Sequence, residues 1–230
     1  MGKDKSSNLS VTLLLLLSIV GLALIPVLVL QPNIQDFQVF NQRIVGILFM
    51  TVLLLGIAAA FYPTKCRGLL EKTQNPLPQA KKVAIPLRIR GHHPDCHNYS
   101  GNRIEVGGRV FCAACSGLLV GAIIALIGTA IHFFVGLNLA GGDVWLLGLG
   151  EIGMLLGLAQ IKVAGFVKAT LNAVFVAGSF ATLAAADAVG KSLFVDLYAV
   201  GLILFLLWFR ISLSEWNNKR TCRRCLLCFQ

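Results

Sequence analysis

The sequence predicts an all-α integral membrane protein, a bundle of six transmembrane helices with a small Cys/His-containing module inserted before the third helix. The chain has 230 residues, of which 57% are hydrophobic and 13% are charged. That charged fraction is about half the value typical of soluble domains, which excludes a soluble enzyme and a disordered protein. Six apolar runs are each about 20 residues long, the length of a helix that crosses a bilayer.

The six predicted spans account for most of the apolar residues. The first follows Lys3 and Lys5, as the core of a secretion signal would. Its apolar stretch is too long for such a core and no small-residue cleavage site follows it, so we expect it to be retained as a helix. The spans are Val11–Leu30, Ile44–Tyr62, Gly117–Leu137, Val144–Ile161, Ala169–Val189 and Ser192–Arg210.

The basic residues predict how these spans are oriented. With six spans, 18 of the 20 Lys and Arg residues fall on one side, and only Arg43 and Lys191 fall on the other. This asymmetry places the basic side, with both termini, in the cytosol, and we expect the plasma membrane as the location. The net charge of +10 therefore reflects topology rather than nucleic-acid binding. The segment Pro63–Pro86 either binds anionic inner-leaflet lipids or only sets the topology.

These expectations divide the chain into four parts. Residues 1–62 form an N-terminal transmembrane hairpin, and residues 63–116 form a cytosolic basic linker with the Cys/His module. Residues 117–212 form a four-helix transmembrane bundle, and residues 213–230 form a cytosolic Cys-rich basic tail. The 63–116 segment has few large apolar side chains, so we expect it to need a bound metal ion to fold.

The cysteine spacing predicts a zinc site in this module. All seven cysteines fall on the predicted cytosolic side, where thiols stay reduced, so metal binding or redox chemistry is favoured over disulfides. His93 and Cys96 form one pair of ligands, and Cys112 and Cys115 form a second pair after fifteen residues. Two such pairs can hold one tetrahedral zinc ion. The fourth ligand is His93, its neighbour His92, His97 or a cysteine of the tail.

The residues between the two pairs are typical of a zinc finger of the treble-clef type. Arg103–Val106 and Arg109–Phe111 are β-prone runs around Gly107-Gly108, which predicts a β-hairpin. Cys112 and Cys115 then stand at the start of the third helix, whose dipole, with Arg109, would favour thiolates. Two alternatives stay open: the pair is a redox dithiol, or both cysteines are simply small buried residues.

The tail carries a second group of cysteines spaced two residues apart. This spacing is also found in ferredoxins, so an iron–sulfur cluster is one interpretation. A second metal site, a contribution to the first site, acylation or no role are the others. The residues are Cys222, Cys225 and Cys228.

The module resembles an uncharacterised prokaryotic family of small polytopic membrane proteins. Cys96-His97, a β-prone stretch with a glycine turn, and Cys112–Leu118 are similar to that family's motif Cys-His … Gly … Cys-Ala-Arg-Cys-Thr-Gly, over residues 91–128. Ala114 and Ser116 depart from the motif, and its Pro-Glu-Arg-Ser element is missing. The resemblance implies a membrane protein of unknown activity and adds His97 as a ligand.

Four ionisable residues fall within the predicted spans, in the outer half. His132, Glu151 and Asp196, with Asp187 nearby, would line a cavity, bind a cation or relay protons, since buried charges in a membrane are costly and usually functional. Alternatively, both aspartates are interfacial, and His132 and Glu151 are satisfied by hydrogen bonds between helices.

Three functions follow from these patterns. The first is a non-enzymatic membrane protein whose zinc module stabilises the loop or docks a protein partner. The second is a small transporter or channel that uses His132, Glu151 and Asp196. The third is a redox or electron-transfer protein that uses Cys112 and Cys115 or the tail.

The pairs Gly117/Gly121 and Gly153/Gly157 predict close helix packing, within one chain or in a homo-oligomer.

Overall fold

The computed structural model of the chain describes residues 2–31, 39–61, 101–106, 109–136 and 144–223. Among these residues, six helices are long and apolar enough to cross a membrane, which confirms the six predicted apolar helices. In chain order they are α1 (Gly2–Val29), α2 (Val39–Phe61), α3 (Ala113–Ala130), α4 (Val144–Leu158), α5 (Gly165–Gly190) and α6 (Leu193–Arg223). Six such helices are compatible with a polytopic membrane protein.

Two short strands precede α3. Strand β1 (Arg103–Val106) pairs antiparallel with strand β2 (Arg109–Cys112), and the register places Arg103 opposite Cys112. The two runs predicted as β-prone are therefore strands, and β2 continues directly into α3. The zinc module predicted around them also needs residues outside the described ranges.

The third and sixth helices differ from their predicted bounds. Helix α3 begins at Ala113, four residues before the predicted start, so Cys115 lies in its first turn. Helix α6 continues beyond the predicted end at Arg210 to Arg223. No Gly or Pro occurs between 211 and 223, so nothing in the chain interrupts the backbone hydrogen bonds of the helix there. Arg210 therefore lies inside a helix and not at its end.

Helix α5 is at the centre of the bundle. It packs against α1, α3, α4 and α6, while α2 packs against α3 and α6. A Cβ atom at Gly121 would lie only 2.6 Å from the carbonyl oxygen of Ala173, and one at Gly150 only 2.7 Å from the backbone nitrogen of Thr182. The backbones of α3 and α4 thus contact that of α5. This confirms the close packing predicted from the small residues of α3.

The bundle exposes many large apolar side chains and buries several polar ones within its apolar core. Leu13, Leu55 and Trp145 are among many large apolar side chains that are exposed. In contrast, Asp187, Asp196 and Arg210 are buried. Water disfavours so many exposed apolar side chains together with buried charged groups, and both features fit helices surrounded by lipid.

We expect Gly121→Ala to destabilise the protein, because the new methyl group would meet the backbone of α5, which cannot rotate away as a side chain can. Overpacking of this kind costs about 1–3 kcal/mol. Detergent-induced unfolding followed by circular dichroism measures the loss.

Gly56→Ala in α2 is the matched control, since a Cβ there would have nothing within 4 Å. Equal stabilities of the two variants would contradict the close contact between α3 and α5.

Candidate functional site

Cys112 and Cys115 lie together at the junction of strand β2 and helix α3. Cys112 ends the strand and is the N-cap residue of α3, and Cys115 follows in the first turn. Both are free thiols; Cys112 is buried and Cys115 is partly exposed. The turn into the helix brings the two side chains into hydrogen-bonding contact. The structure thus places Cys112 and Cys115 together at the start of a helix, as their spacing predicts.

This arrangement favours the thiolate form of Cys112. The hydrogen bond with the Cys115 side chain is the main cause that lowers the pKa of Cys112 to about 6. Burial opposes the shift, whereas the backbone groups of Ala114 and Cys115 and the positive charge of Lys168 support it. A thiolate is the form in which cysteine binds metals or attacks disulfides.

Two basic side chains lie near this pair, and from the sequence alone both indicate only topology. Lys168 of α5 donates a hydrogen bond to Asn102 Oδ1 and so connects α5 to the segment before β1. Its charge acts on Cys112. Arg210 of α6 is buried, and its charge acts on Cys115. No carboxylate of the described residues forms an ion pair with either cation.

Arg210 is held in place by two neutral groups. Its Nη2 atom donates to Gln160 Oε1 at 3.0 Å, and its guanidinium lies 5.1 Å from the centre of the Phe175 ring. Hydrogen bonding and cation–π attraction offset part of the cost of burying the charge. We call Cys112, Cys115, Lys168, Arg210 and Gln160 the thiol cluster.

The other predicted ligands are outside the described residues. His93, Cys96, His97, Cys225 and Cys228 are not covered, and of Cys222 only the backbone at the end of α6 is described. Within the described ranges, no three His, Cys, Asp or Glu side chains are grouped so that they could hold a metal ion. The zinc site and the tail site therefore stay predictions.

A second polar cluster lies at the opposite end of the helices. A π-helical turn over Ile131–Val135 extends α3 and carries His132. His132 Nε2 lies 2.9 Å from Asp187 Oδ2 of α5, and Gln42 Nε2 of α2 donates to the same oxygen at 2.9 Å. His132 and Asp187 are each only 2% exposed. Three helices are thus joined through one carboxylate oxygen.

Asp196 completes this group from α6. It is fully buried and interacts with the side chain of Asp187. Neither carboxylate oxygen of Asp196 has a hydrogen-bond partner of good geometry within the described part of the chain. We call Gln42, His132, Asp187 and Asp196 the carboxyl cluster.

Glu151 stands apart from the carboxyl cluster. It lies on α4, which the cluster does not include, and its Oε1 atom is buried without a hydrogen-bond partner among the described residues. No described contact joins it to His132 or Asp196. Of the three intramembrane residues predicted together, the structure therefore groups two, and Asp187 is the residue that connects them.

Comparison of the chain with models of protein families, with curated proteins and with solved structures finds no match. The family resemblance described above therefore stays a prediction. Function must be inferred from the two clusters themselves.

The thiol cluster leads to a prediction about ionisation. In a chain with serine in place of the other five cysteines, we expect the ultraviolet absorbance of the Cys112 thiolate to appear as the pH rises through about 6. The Cys115→Ala change should move this transition to higher pH, because the hydrogen bond from the Cys115 thiol is removed.

The Cys112→Ser variant of the same chain is the control and should lack the transition. In the chain that keeps both cysteines, a transition near 9, the ordinary value for a cysteine thiol, would contradict the described hydrogen bond.

Proposed function

We propose that the chain is a polytopic membrane protein in which one zinc ion, bound by Cys112, Cys115, Cys96 and a histidine, organises the segment before α3 for docking a protein partner. The histidine is His93 or His97. The observation that carries this proposal is the contact of the two thiols at the start of α3, where Cys112 favours the thiolate form. Two adjacent cysteines at a helix N-terminus, one of which favours the thiolate form, provide half of a tetrahedral zinc site.

The charges around the thiols support this proposal. A zinc ion with three thiolates and one neutral histidine has a net charge of about −1. Lys168 acts on Cys112 and Arg210 acts on Cys115, and neither cation has a carboxylate partner among the residues described. Positive groups beside a thiolate site offset its charge, as outer-shell partners commonly do at metal sites.

The chain geometry also allows Cys96 to reach the pair. Arg103 is paired with Cys112, and Lys168 bonds to Asn102, so the chain arrives beside the thiol cluster before β1 begins. Cys96 precedes Gly101 by five residues, a length that spans at most about 18 Å. A ligand at position 96 is therefore within reach of Cys112.

The exposure of the two thiols argues against a redox dithiol. In disulfide exchange the thiolate must be accessible to the partner disulfide. Here the thiol with the lowered pKa, Cys112, is the buried one, and Cys115 is the more exposed. A buried thiolate suits an ion held between the module and α3 better than it suits attack on an external substrate.

The proposed location follows from the basic residues. The side that carries 18 of the 20 Lys and Arg residues includes the thiol cluster, so we infer that the zinc module faces the cytosol beside anionic lipids of the plasma membrane. The module would then present its surface to a cytosolic protein partner or to a second copy of the chain.

Elemental analysis of the purified full chain, prepared without a histidine tag, tests the zinc site. We expect about one zinc ion per chain, as for a single structural site, and loss of this zinc in Cys96→Ser, Cys112→Ser and Cys115→Ser. Glu151→Gln, which changes a residue outside the thiol cluster, is the control and should keep its zinc. His93→Ala and His97→Ala identify the fourth ligand.

Thiol alkylation of the wild-type chain, with and without a chelator, tests the zinc site without any variant. It therefore gives an answer even if the cysteine variants do not fold. Under the proposal, a chelator removes the ion and makes Cys96 and the partly exposed Cys115 reactive to alkylation. Iron in place of zinc, or protection that only a reductant removes, would refute the zinc proposal and favour the redox alternative.

The charge argument gives a separate prediction. Lys168→Met should weaken zinc binding about tenfold, at the lower end of the effect of losing an outer-shell partner. Competition with a chromogenic chelator measures the affinity. Lys162→Met removes an exposed lysine nearby and should leave the affinity unchanged; equal losses in both variants would show that Lys168 has no specific role.

A further inference from the structure

The carboxyl cluster has no role in the zinc proposal and lies at the other end of the helices. Its most unusual feature is the number of buried polar atoms that lack a hydrogen-bond partner among the described residues. They are His132 Nδ1, Asp187 Oδ1, Asp196 Oδ1 and Asp196 Oδ2. A buried acceptor without a partner is costly, so such a group indicates an unseen donor or cation.

The hydrogen bonds assign different roles to the two carboxyl groups. Asp187 Oδ2 accepts a hydrogen bond from Gln42 and lies at hydrogen-bond distance from His132 Nε2, so Asp187 is the acceptor of the cluster. Asp196 receives no such bond from the described residues and interacts only with Asp187. Asp196 is thus placed to donate to Asp187, which requires a proton on one of its own oxygens.

The charges on the surrounding elements do not compensate two carboxylates. Helix α2 contributes the neutral Gln42 and an exposed Arg43, and the turn between α5 and α6 contributes an exposed Lys191. Helix α3 contributes His132. Helix α1 has no titratable residue from Leu9 to its end, and no described contact joins Glu151 of α4 to the cluster. The buried titratable groups of the carboxyl cluster are therefore two carboxyl groups and one imidazole.

We propose that the carboxyl cluster is a proton-binding site, in which Asp196 takes up one proton from water and shares it with Asp187. The proton forms an O–H bond on Asp196, and this hydroxyl donates a hydrogen bond to Asp187 Oδ1. Release returns the proton to water and leaves two adjacent carboxylates. Two buried carboxylates in contact cannot both stay ionised without a further cation, so the site holds its proton in the folded bundle.

A proton fits the site better than a metal ion does. Within the described ranges, no three His, Cys, Asp or Glu side chains are grouped so that they could hold a metal ion. This includes His132, Asp187 and Asp196. A proton needs only two interacting carboxyl groups, and Asp187 of α5 and Asp196 of α6 provide them. The π-helical turn that carries His132 supports this, since such turns frequently occur at functional sites.

Infrared spectroscopy of the full chain in lipid tests this site. The test uses the Glu151→Gln variant, because Glu151 is a partly buried carboxyl group outside the cluster. In this variant we expect the C=O stretch of a protonated carboxyl group at neutral pH. The band should shift in deuterium oxide, because the proton exchanges with water. Asp196→Asn should abolish the band. Asp187→Asn should keep it at a changed frequency, because the hydrogen-bond acceptor is different.

Three results of these measurements would overturn the proposal of a proton-binding site. Absence of the band in the Glu151→Gln chain, or a band that Asp196→Asn leaves unchanged, would overturn the proposal. A bound metal ion that Asp196→Asn removes would overturn it in favour of a cation site. Isotope-labelled aspartate assigns the band in a chain that keeps Asp187 and Asp196, so the test does not depend on the folding of the Asn variants.

Discussion

The close approach of α3 and α4 to α5 is the constraint on which the rest of the structure depends. Gly121 and Gly150 let the backbones of α3 and α4 contact that of α5, which places α5 at the centre of the bundle. Both polar clusters include a residue of this central helix, Lys168 near its start and Asp187 near its end. These residues are about 28 Å apart along the helix axis at 1.5 Å per residue, close to the thickness of a hydrocarbon core.

The two clusters have an excess of ionisable groups of opposite sign. The thiol cluster contains two cations, Lys168 and Arg210, with no carboxylate partner among the described residues, whereas the carboxyl cluster contains two acids and one imidazole. Buried charge in a membrane must be compensated locally, because lipid provides no counter-ions. Thiolates around a zinc ion would compensate the first cluster, and a bound proton would compensate the second. The zinc proposal and the proton proposal thus both provide the local charge compensation that buried ionisable groups require.

Much of the thiol site could be predicted, because its main feature is local. Cys112 and Cys115 are three residues apart at the start of a helix, and this spacing alone brings them together. Lys168 and Arg210 could not be assigned to the site in this way, since they come from helices distant in sequence. At the other end, counting residues along each span led us to consider His132, Glu151, Asp187 and Asp196 together. Depth did not reveal that Asp187, and not Glu151, contacts His132.

The sequence by itself determined the six apolar helices, their approximate bounds and the small residues that allow close packing. Each of these is a property of one continuous segment, set by its length, its apolarity and the spacing of its glycines. Only the tertiary structure decided which polar side chains meet, because that depends on how each helix is rotated about its own axis. The rotation is set by packing against neighbouring helices, as at Gly121 against Ala173, and no single segment contains that information.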